Sequence, residues 1–274
     1  MRYALKLFYD GAGYHGFQIQ PGLTTIEAII LETLKKASYI TNSRDSAFSY
    51  ASRTDAGVSA LSQVIAFNSP KPPNMRLINS LLPPGLVFWA QSETPDDFNP
   101  RRDALSKTYR YYSPFEGEDI ELIKRCVRRL EGTHDFKKLS KPDKSRKTCC
   151  SIDRINVQLD CNVVLYEFKA KSFLWKLIRK TVSLLKLIGL GVFEPEIIDR
   201  VLDPEDSFDP QLQPAPADGL VLYDIKYSFD FQIDSYSLNR LREYLTRIEK
   251  YYRVKQQLNN GVLNYLNTLY MNTY

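Results

Sequence analysis

The chain has 274 residues, of which 43% are hydrophobic and 25% are charged, and its formal net charge is +5. These values are typical of a globular protein long enough for one large domain or two lobes. No apolar run approaches the roughly 18 residues that a membrane-spanning helix needs, and the segment that begins at Met1 resembles a strand and not a signal peptide. We therefore expect a cytoplasmic protein that does not bind a membrane.

Soft metal ligands are scarce. The cysteines are Cys126, Cys149, Cys150 and Cys161; they form no C-x-x-C pair, and the two histidines lie in separate segments. Adjacent cysteines have poor geometry for a shared metal or an ordinary disulfide. We expect reduced thiols, no metal, and chemistry carried by carboxylates, arginines and tyrosines.

Positive charge is concentrated in the middle of the chain. Residues 101–180 contain 20 Lys and Arg against 11 Asp and Glu, a net of +9, whereas the rest contain 17 against 21, a net of −4. A concentration of positive charge favours a polyanionic partner, although a solvated surface is the more common reason for a charge imbalance.

Taken in chain order, the first hundred residues predict β-α-β-β-α-β. Apolar runs indicate the strands, and apolar residues at helical spacing indicate the helices. The predicted elements are a strand at Tyr3–Tyr9, a helix from about Thr25 with Thr24 or Thr25 as its cap, strands at Phe48–Ala51 and Gln63–Phe67, a short helix opened by Pro72-Pro73, and a strand at Leu86–Ser92.

The same order repeats after a polar link. The predicted elements are a strand at Thr108–Ser113, a helix at Asp119–Leu130, a hairpin of Ile152–Cys161 and Val163–Lys171, an apolar helix at Phe173–Leu190, a small helix at Pro195–Leu202, and a strand at Leu220–Phe229. We therefore predict an α+β protein with two tandem ferredoxin-like lobes, residues 1–103 and 104–230, that form one extended antiparallel sheet with a cleft.

Residues 231–274 form a helical extension in this interpretation. Apolar residues from Leu238 to Tyr252 keep helical spacing, and Asn259-Asn260-Gly261 is a typical helix stop. A second short helix is predicted at Val262–Tyr270. Packing onto the lobes explains the extension better than contact with a partner or RNA.

The connection from Ser52 to Ala60 is the first candidate site. It places Arg53, Asp55 and Gly57 on a loop between two apolar strands, and loops held by rigid strands often carry function. A tight turn, with the aspartate bonded to its own backbone, is the alternative.

Two further segments contain candidate residues. Tyr109 and Tyr111 alternate along a strand and share one face, where aromatic rings can stack on bases or simply pack. Arg179 interrupts an apolar helix, so it needs a buried partner, for which Asp55 is a candidate, or it faces solvent. Basic loop residues suited to phosphate contacts are Arg101, Arg102, Lys137, Lys138, Lys141, Lys144, Arg146 and Lys147.

Six segments in order resemble the tRNA pseudouridine synthases that act on the anticodon arm. They are Tyr9-Asp10-Gly11 with 14–18 (Y-H-G-F-Q), 52–60 (S-R-T-D-A-G-V-S-A), 107–111 (K-T-Y-R-Y), 130–136 (L-E-G-T-H-D-F), 172–175 (S-F-L-W) with Arg179, and 215–222. This sequence differs from the family pattern at four positions, where Ser59 and Lys176 replace histidine, Ser183 replaces glycine and Phe17 replaces tryptophan.

The resemblance implies a homodimer that binds tRNA and isomerises uridine to pseudouridine at positions 38, 39 and/or 40. It implies that Asp55 is the catalytic carboxylate, that Arg179 keeps it ionised, and that Arg53 contacts phosphate or holds the space that the base vacates. Tyr109 would stack on the uracil and assist proton removal at C5. No redox step or group transfer occurs, so no cofactor is expected.

Two other classes of function remain open. A non-catalytic RNA-binding or tRNA chaperone protein would use the same basic cleft, and loss of Asp55 would favour it. A carboxylate-based hydrolase would need a second acid paired with Asp55; no nearby acid meets this need, and Asp45 and Glu27 look structural.

Overall fold

The computed structural model describes residues 1–141 and 147–271. The first lobe contains β1 (Arg2–Tyr9), α1 (Ile26–Lys36), β2 (Ser49–Tyr50), β3 (Ser59–Asn68), α2 (Met75–Leu81) and β4 (Leu86–Thr94). Thr25 is the N-cap residue of α1, and the Asn74 side chain caps α2 by accepting from the Leu77 N–H. The predicted order of elements is confirmed, although β2 is shorter than predicted.

The second lobe repeats the pattern with two additional strands. Its elements are β5 (Ser106–Pro114), α3 (Ile120–Val127), β6 (Gly132–Asp135), β7 (Cys149–Ile152), β8 (Arg154–Asp160), β9 (Val163–Ala170), α4 (Leu177–Gly189), α5 (Ile197–Leu202) and β10 (Leu220–Lys226). Strands β6 and β7, which we did not predict, form a separate two-stranded sheet. After the lobe come β11 (Gln232–Ile233), also not predicted, and α6 (Ser235–Met271).

Each lobe has the strand order of a ferredoxin-like unit. The first reads β4-β1-β3-β2 and the second reads β10-β5-β9-β8, and together with β11 they form one continuous sheet. The predicted fold class is therefore confirmed. The boundaries at 103/104 and 230/231 stay a prediction.

The two lobes join through a parallel pair of strands inside a sheet that is otherwise antiparallel. Strand β2 covers only the far end of β3, opposite Ile65 and Ala66. The near end of β3, at Ser59 and Ala60, is therefore free to pair with β10 at Val221 and Leu222. Because β2 is short, the same edge of β3 pairs with β2 of the first lobe and with β10 of the second. This pairing places the loop before β3 directly against the second lobe.

The interior of the protein is shared between the lobes. One hydrophobic cluster contains residues from both, including Leu5, Phe67, Tyr109, Phe168 and Leu185. A smaller cluster joins Phe8 and Val87 of the sheet to Leu241 of α6. Within the two described ranges, no helix combines the length and apolarity needed to cross a bilayer.

The predicted helix stop at Asn259-Asn260-Gly261 is wrong. Helix α6 runs through it without a break, and the predicted second helix is the end of the same helix. Residues 251–270 are exposed throughout, so no neighbouring structure gives the chain a reason to turn. A glycine in such a helix weakens it without ending it.

Substitution of two glycines tests this continuity. We expect Gly261→Ala to increase helix content and to stabilise α6 by about 0.5–1 kcal/mol, because an interior helical glycine is replaced by a better helix former. Gly191, which lies after α4 with φ +71° in open space, is the control. Alanine there should destabilise the protein by about 1 kcal/mol. Far-ultraviolet circular dichroism during thermal unfolding measures both, and a loss of helix in Gly261→Ala would contradict the continuous helix.

Candidate active site

The Asp55 loop lies between β2 and β3 and is fixed by a buried glutamine. Gln63, which is fully buried, accepts from the Ser52 N–H at 3.1 Å and donates to the Ser52 carbonyl at 2.7 Å. The Thr54 hydroxyl bonds the Tyr9 hydroxyl at 2.7 Å. The loop therefore has a defined position before any ligand binds.

The Gly-rich segment after β1 closes over this loop. A Cβ on Gly11 would lie 2.4 Å from the Val58 carbonyl oxygen, so only glycine allows the two backbones to approach so closely. Gly16, at φ +87°, lies against the Thr54 carbonyl in the same way. The predicted turn after β1 thus packs directly against the Asp55 loop and restricts its position.

Asp55 forms an ion pair with Arg179 of the second lobe. The Arg179 Nη1 donates to Asp55 Oδ2 at 2.9 Å, and both side chains are largely sheltered, with 14% and 24% of their surfaces exposed. The Arg179 Nε donates to the Ala215 carbonyl at 2.6 Å, which fixes the guanidinium from behind. The pairing proposed from the sequence is present, and the solvent-facing alternative for Arg179 is excluded.

The indole of Trp175 holds the other carboxylate oxygen. Its Nε1 donates to Asp55 Oδ1 at 2.7 Å. Helix α4 was predicted from Phe173, but it begins at Leu177 because Lys176 has a left-handed backbone, with φ +64°. Trp175 therefore lies in the turn before the helix. No pattern in the sequence indicated this contact.

Tyr109 lies on the floor of the cleft beside the ion pair. Its ring is 7% exposed and meets the edge of Phe173 with centroids 5.3 Å apart. Burial raises the pKa of its hydroxyl to about 12, a hydrogen bond with Ser52 opposes this shift, and the Asp55 charge adds to it. The neutral phenol is thus the form present near pH 7.

A buried lysine supports the loop from below. Lys107 is 5% exposed, and its Nζ donates to the Ala51 carbonyl at 2.5 Å and to the Ser52 hydroxyl at 3.0 Å. It brings a positive charge beneath the carboxylate loop and ties β5 of the second lobe to the first lobe.

The cleft between the lobes has a volume of about 1040 Å³. Among the described residues that line it, Asp55 is the only carboxylate. The basic side chains that line it are Arg53, Arg101, Lys107, Lys141, Lys176 and Arg179. A cavity with this lining attracts an anionic ligand and presents one acid to it. In the described ranges, no three His, Cys, Asp or Glu side chains come together as metal ligands would.

Comparisons with known proteins identify the family. A family model described as tRNA pseudouridine synthase matches residues 126–228. The tRNA pseudouridine synthase A of Thermococcus sibiricus is 40% identical over 255 residues, which cover 92% of this chain and 95% of that protein. The chain belongs to the tRNA pseudouridine synthase family.

Other members agree over nearly their whole length. The tRNA pseudouridine synthase A of Pyrococcus furiosus is 41% identical over 96% of this chain and 98% of that protein. The enzyme of the same name from Methanosarcina mazei is 38% identical over 94% and 97%. A solved H/ACA RNP bound to a substrate RNA containing 2′-deoxyuridine shares 14% identity with a TM-score of 0.34, covering 66% of this chain and 44% of that one. That likeness is too distant to bear on function.

The other predicted site residues differ in where they lie relative to the cleft. Arg53 and Arg101 are exposed and line the cleft. Arg102 does not line it, because its guanidinium is held by Asp103 and by the Asp97 carbonyl. Lys147 is exposed, and Lys144 and Arg146 lie outside the described residues.

Tyr111 differs from the sequence expectation. It is 3% exposed and is not part of the cleft lining, and its ring packs against Gly219. Burial raises the pKa of its hydroxyl to about 12. The alternation of side chains along β5 correctly predicted that Tyr109 and Tyr111 share a face of the strand. It does not show whether that face is exposed to the cleft.

Substitution tests whether the hydrogen bonds of Gln63 fix the Asp55 loop. We expect Gln63→Leu to reduce the free energy of unfolding by about 2–4 kcal/mol, because the Ser52 N–H and carbonyl lose their buried partners. Gln91 is the matched control, since its side-chain oxygen is buried without a hydrogen-bond partner in the described part of the chain. Gln91→Leu should be neutral or stabilising. Equal effects of the two substitutions in chemical denaturation would refute the role of Gln63.

Proposed function

We propose that this protein isomerises uridine to pseudouridine in the anticodon stem-loop of cytoplasmic tRNA, at positions 38, 39 and/or 40. Asp55 is the catalytic carboxylate in this proposal. The observation that supports it best is a carboxylate that is paired with a cation from the other lobe and is the only acid among the described residues that line the cleft.

The reaction needs one carboxylate and a space for a detached base. The N1–C1′ bond breaks, the uracil turns, and a C5–C1′ bond forms; C5 loses a proton and N1 gains one, so the product is an isomer of the substrate. The target nucleotide must leave its stack to reach the acid. An ionised Asp55 either attacks the substrate or removes a proton, and the Arg179 guanidinium favours that ionised form.

Tyr109 and Arg53 complete the proposed catalytic set. Tyr109 lies on the cleft floor as a neutral phenol, suited to support the uracil ring and to relay the proton from C5 through its hydroxyl. Arg53 is two residues before Asp55 and exposed, so it can contact the phosphate or hold the space that the flipped base leaves.

The tRNA backbone is proposed to contact five basic residues, which we call the binding rim: Arg101, Arg102, Lys144, Arg146 and Lys147. Arg101 lines the cleft, and Arg102 and Lys147 are exposed. Contacts to phosphate release counterions, which makes binding depend on salt. Tyr111, which the sequence suggested for base stacking, lies outside the cleft lining and is not assigned a contact with the base.

Replacement of the acid tests the activity. Asp55→Asn should lower pseudouridine formation by at least about 10³-fold, because the carboxylate performs the chemical step. tRNA binding should persist. Asp96→Asn, at an exposed position outside the cleft lining, is the control and should be as active as the unaltered protein. Mapping of pseudouridine in tRNA before and after incubation gives the result. If the unaltered protein binds tRNA but forms no pseudouridine, the non-catalytic alternative is correct.

Charge reversal tests the binding rim. We expect the triple change of Lys144, Arg146 and Lys147 to Glu to weaken tRNA affinity and to flatten its dependence on salt, with turnover preserved at saturating tRNA. The matched control reverses Lys35, Lys36 and Lys71, exposed residues that do not line the cleft. An equal loss of affinity in the control would indicate a non-specific charge effect and contradict the proposed path.

We also propose that two copies form a homodimer through α6. This helix keeps a seven-residue repeat that is typical of helix pairing and is apolar except at Lys255. Its seam consists of Leu241, Tyr244, Ile248, Tyr251, Lys255, Leu258, Val262, Tyr265 and Leu269. Leu241 packs on the sheet, whereas the seam residues from Tyr251 onward are exposed along about 30 Å of helix.

The charges of α6 favour a second copy over RNA as the occupant. No Asp, Glu, Lys or Arg lies beyond Lys255. A symmetric contact brings identical surfaces together, so a segment without charge avoids repulsion, whereas an RNA site would need cations. We expect Leu258→Glu with Tyr265→Glu to give monomers, and Gln257→Glu with Asn264→Glu, on another face, to leave the dimer intact. Analytical ultracentrifugation measures this, and a dimer that persists in the first variant would refute the interface.

A further inference from the structure

Both oxygens of the Asp55 carboxylate receive a hydrogen bond from the second lobe. Arg179 donates to Oδ2 at 2.9 Å, and the Trp175 Nε1 donates to Oδ1 at 2.7 Å. The terminal torsion of an aspartate has a broad energy minimum, so a single donor leaves the carboxylate plane free to turn. Two donors on different oxygens fix that plane.

The indole itself is held in place although 46% of its surface is exposed. The Lys141 Nζ lies 4.2 Å from the ring centroid, and the Lys176 Nζ lies 5.9 Å from it. The Lys141 N–H donates to the Trp175 carbonyl at 2.8 Å. Cation–π attraction and this backbone bond therefore keep a half-exposed ring in one orientation.

A strained residue comes directly after the tryptophan. Lys176 has φ +64° and ψ 0°, a left-handed conformation that non-glycine residues rarely adopt. The bend separates Trp175 from the helical run that carries Arg179. Both side chains then reach the same carboxylate, one from the turn and one from α4. Strain of this kind persists where the surrounding structure requires it.

We infer that Trp175 is a positioning residue for the reaction: its N–H orients the Asp55 carboxylate. This inference rests on the proposed catalytic role of Asp55. Arg179 of α4 pairs with this carboxylate, Tyr109 of β5 lies beside it, and Lys107 of β5 supports its loop. A small misplacement of a reacting group is costly to the chemical step, so the effect belongs to turnover and not to tRNA affinity.

Two substitutions separate the N–H from the ring. Trp175→Phe keeps an aromatic ring and removes the donor. Trp175→Gln removes the ring but keeps an N–H three bonds from Cβ, as in tryptophan. We expect the Phe variant to lose about tenfold in kcat with KM nearly unchanged, because the donor that orients the carboxylate is lost. The Gln variant should retain more kcat.

Fluorescence tests the contact without reference to activity. The chain has two tryptophans, and Trp89→Phe leaves Trp175 as the only indole. In that variant the emission should change as Asp55 is protonated, within the pH range where circular dichroism shows an intact fold. Addition of Asp55→Asn should abolish the change. Circular dichroism also establishes that the Phe and Gln variants are folded.

The outcomes distinguish this inference from the proposed function. If Asp55→Asn remains active, the catalytic role of Asp55 fails. If Asp55→Asn is inactive while Trp175→Phe has the original kcat, only the role of Trp175 is refuted. A Gln variant as impaired as the Phe variant, or an emission change that survives Asp55→Asn, would also overturn it.

Discussion

The ion pair between Asp55 and Arg179 is the interaction on which the arrangement of this protein depends. Its two partners belong to different lobes and are 124 residues apart in the chain. An acid that must stay charged in a sheltered cleft needs a compensating cation, and a cation in an apolar helix needs an acid. Each residue therefore satisfies the requirement of the other only when the lobes are joined.

The parallel pairing of β3 with β10 makes that joint. Because β2 is only two residues long, the end of β3 next to the Asp55 loop is available to the second lobe. Two polar contacts cross the same junction. The Lys107 Nζ donates to the Ala51 carbonyl, and Lys6 forms an ion pair with Asp224 at 3.2 Å. The sheet thus sets the distance between the acid and α4, and the glycines after β1 hold the loop at that distance.

Periodicity and the cost of burying a charge made part of this structure predictable from the sequence. The order of strands and helices was predictable because apolar residues recur at strand or helix spacing. The pairing of Arg179 was predictable because a cation in an apolar helix needs a partner of opposite charge. The contact of Trp175, the burial of Tyr111 and the joint at β3 were not accessible, since each depends on which surfaces meet in three dimensions. The helix stop at Gly261 was wrong because turn residues end a helix only where the chain has a surface to turn toward.

A double-mutant cycle between the two lobes tests the central ion pair most directly. Asp55→Asn removes the charge and keeps an acceptor for Trp175, and Arg179→Met removes the cation and keeps an apolar stem. The free energies of unfolding of both single variants and the double variant give the coupling between the residues. A direct pair predicts a coupling of about 1 kcal/mol or more, so that the double variant loses less stability than the sum of the single ones. Additive losses, within about 0.3–0.5 kcal/mol, would contradict the ion pair as the interaction that joins the lobes at the active site.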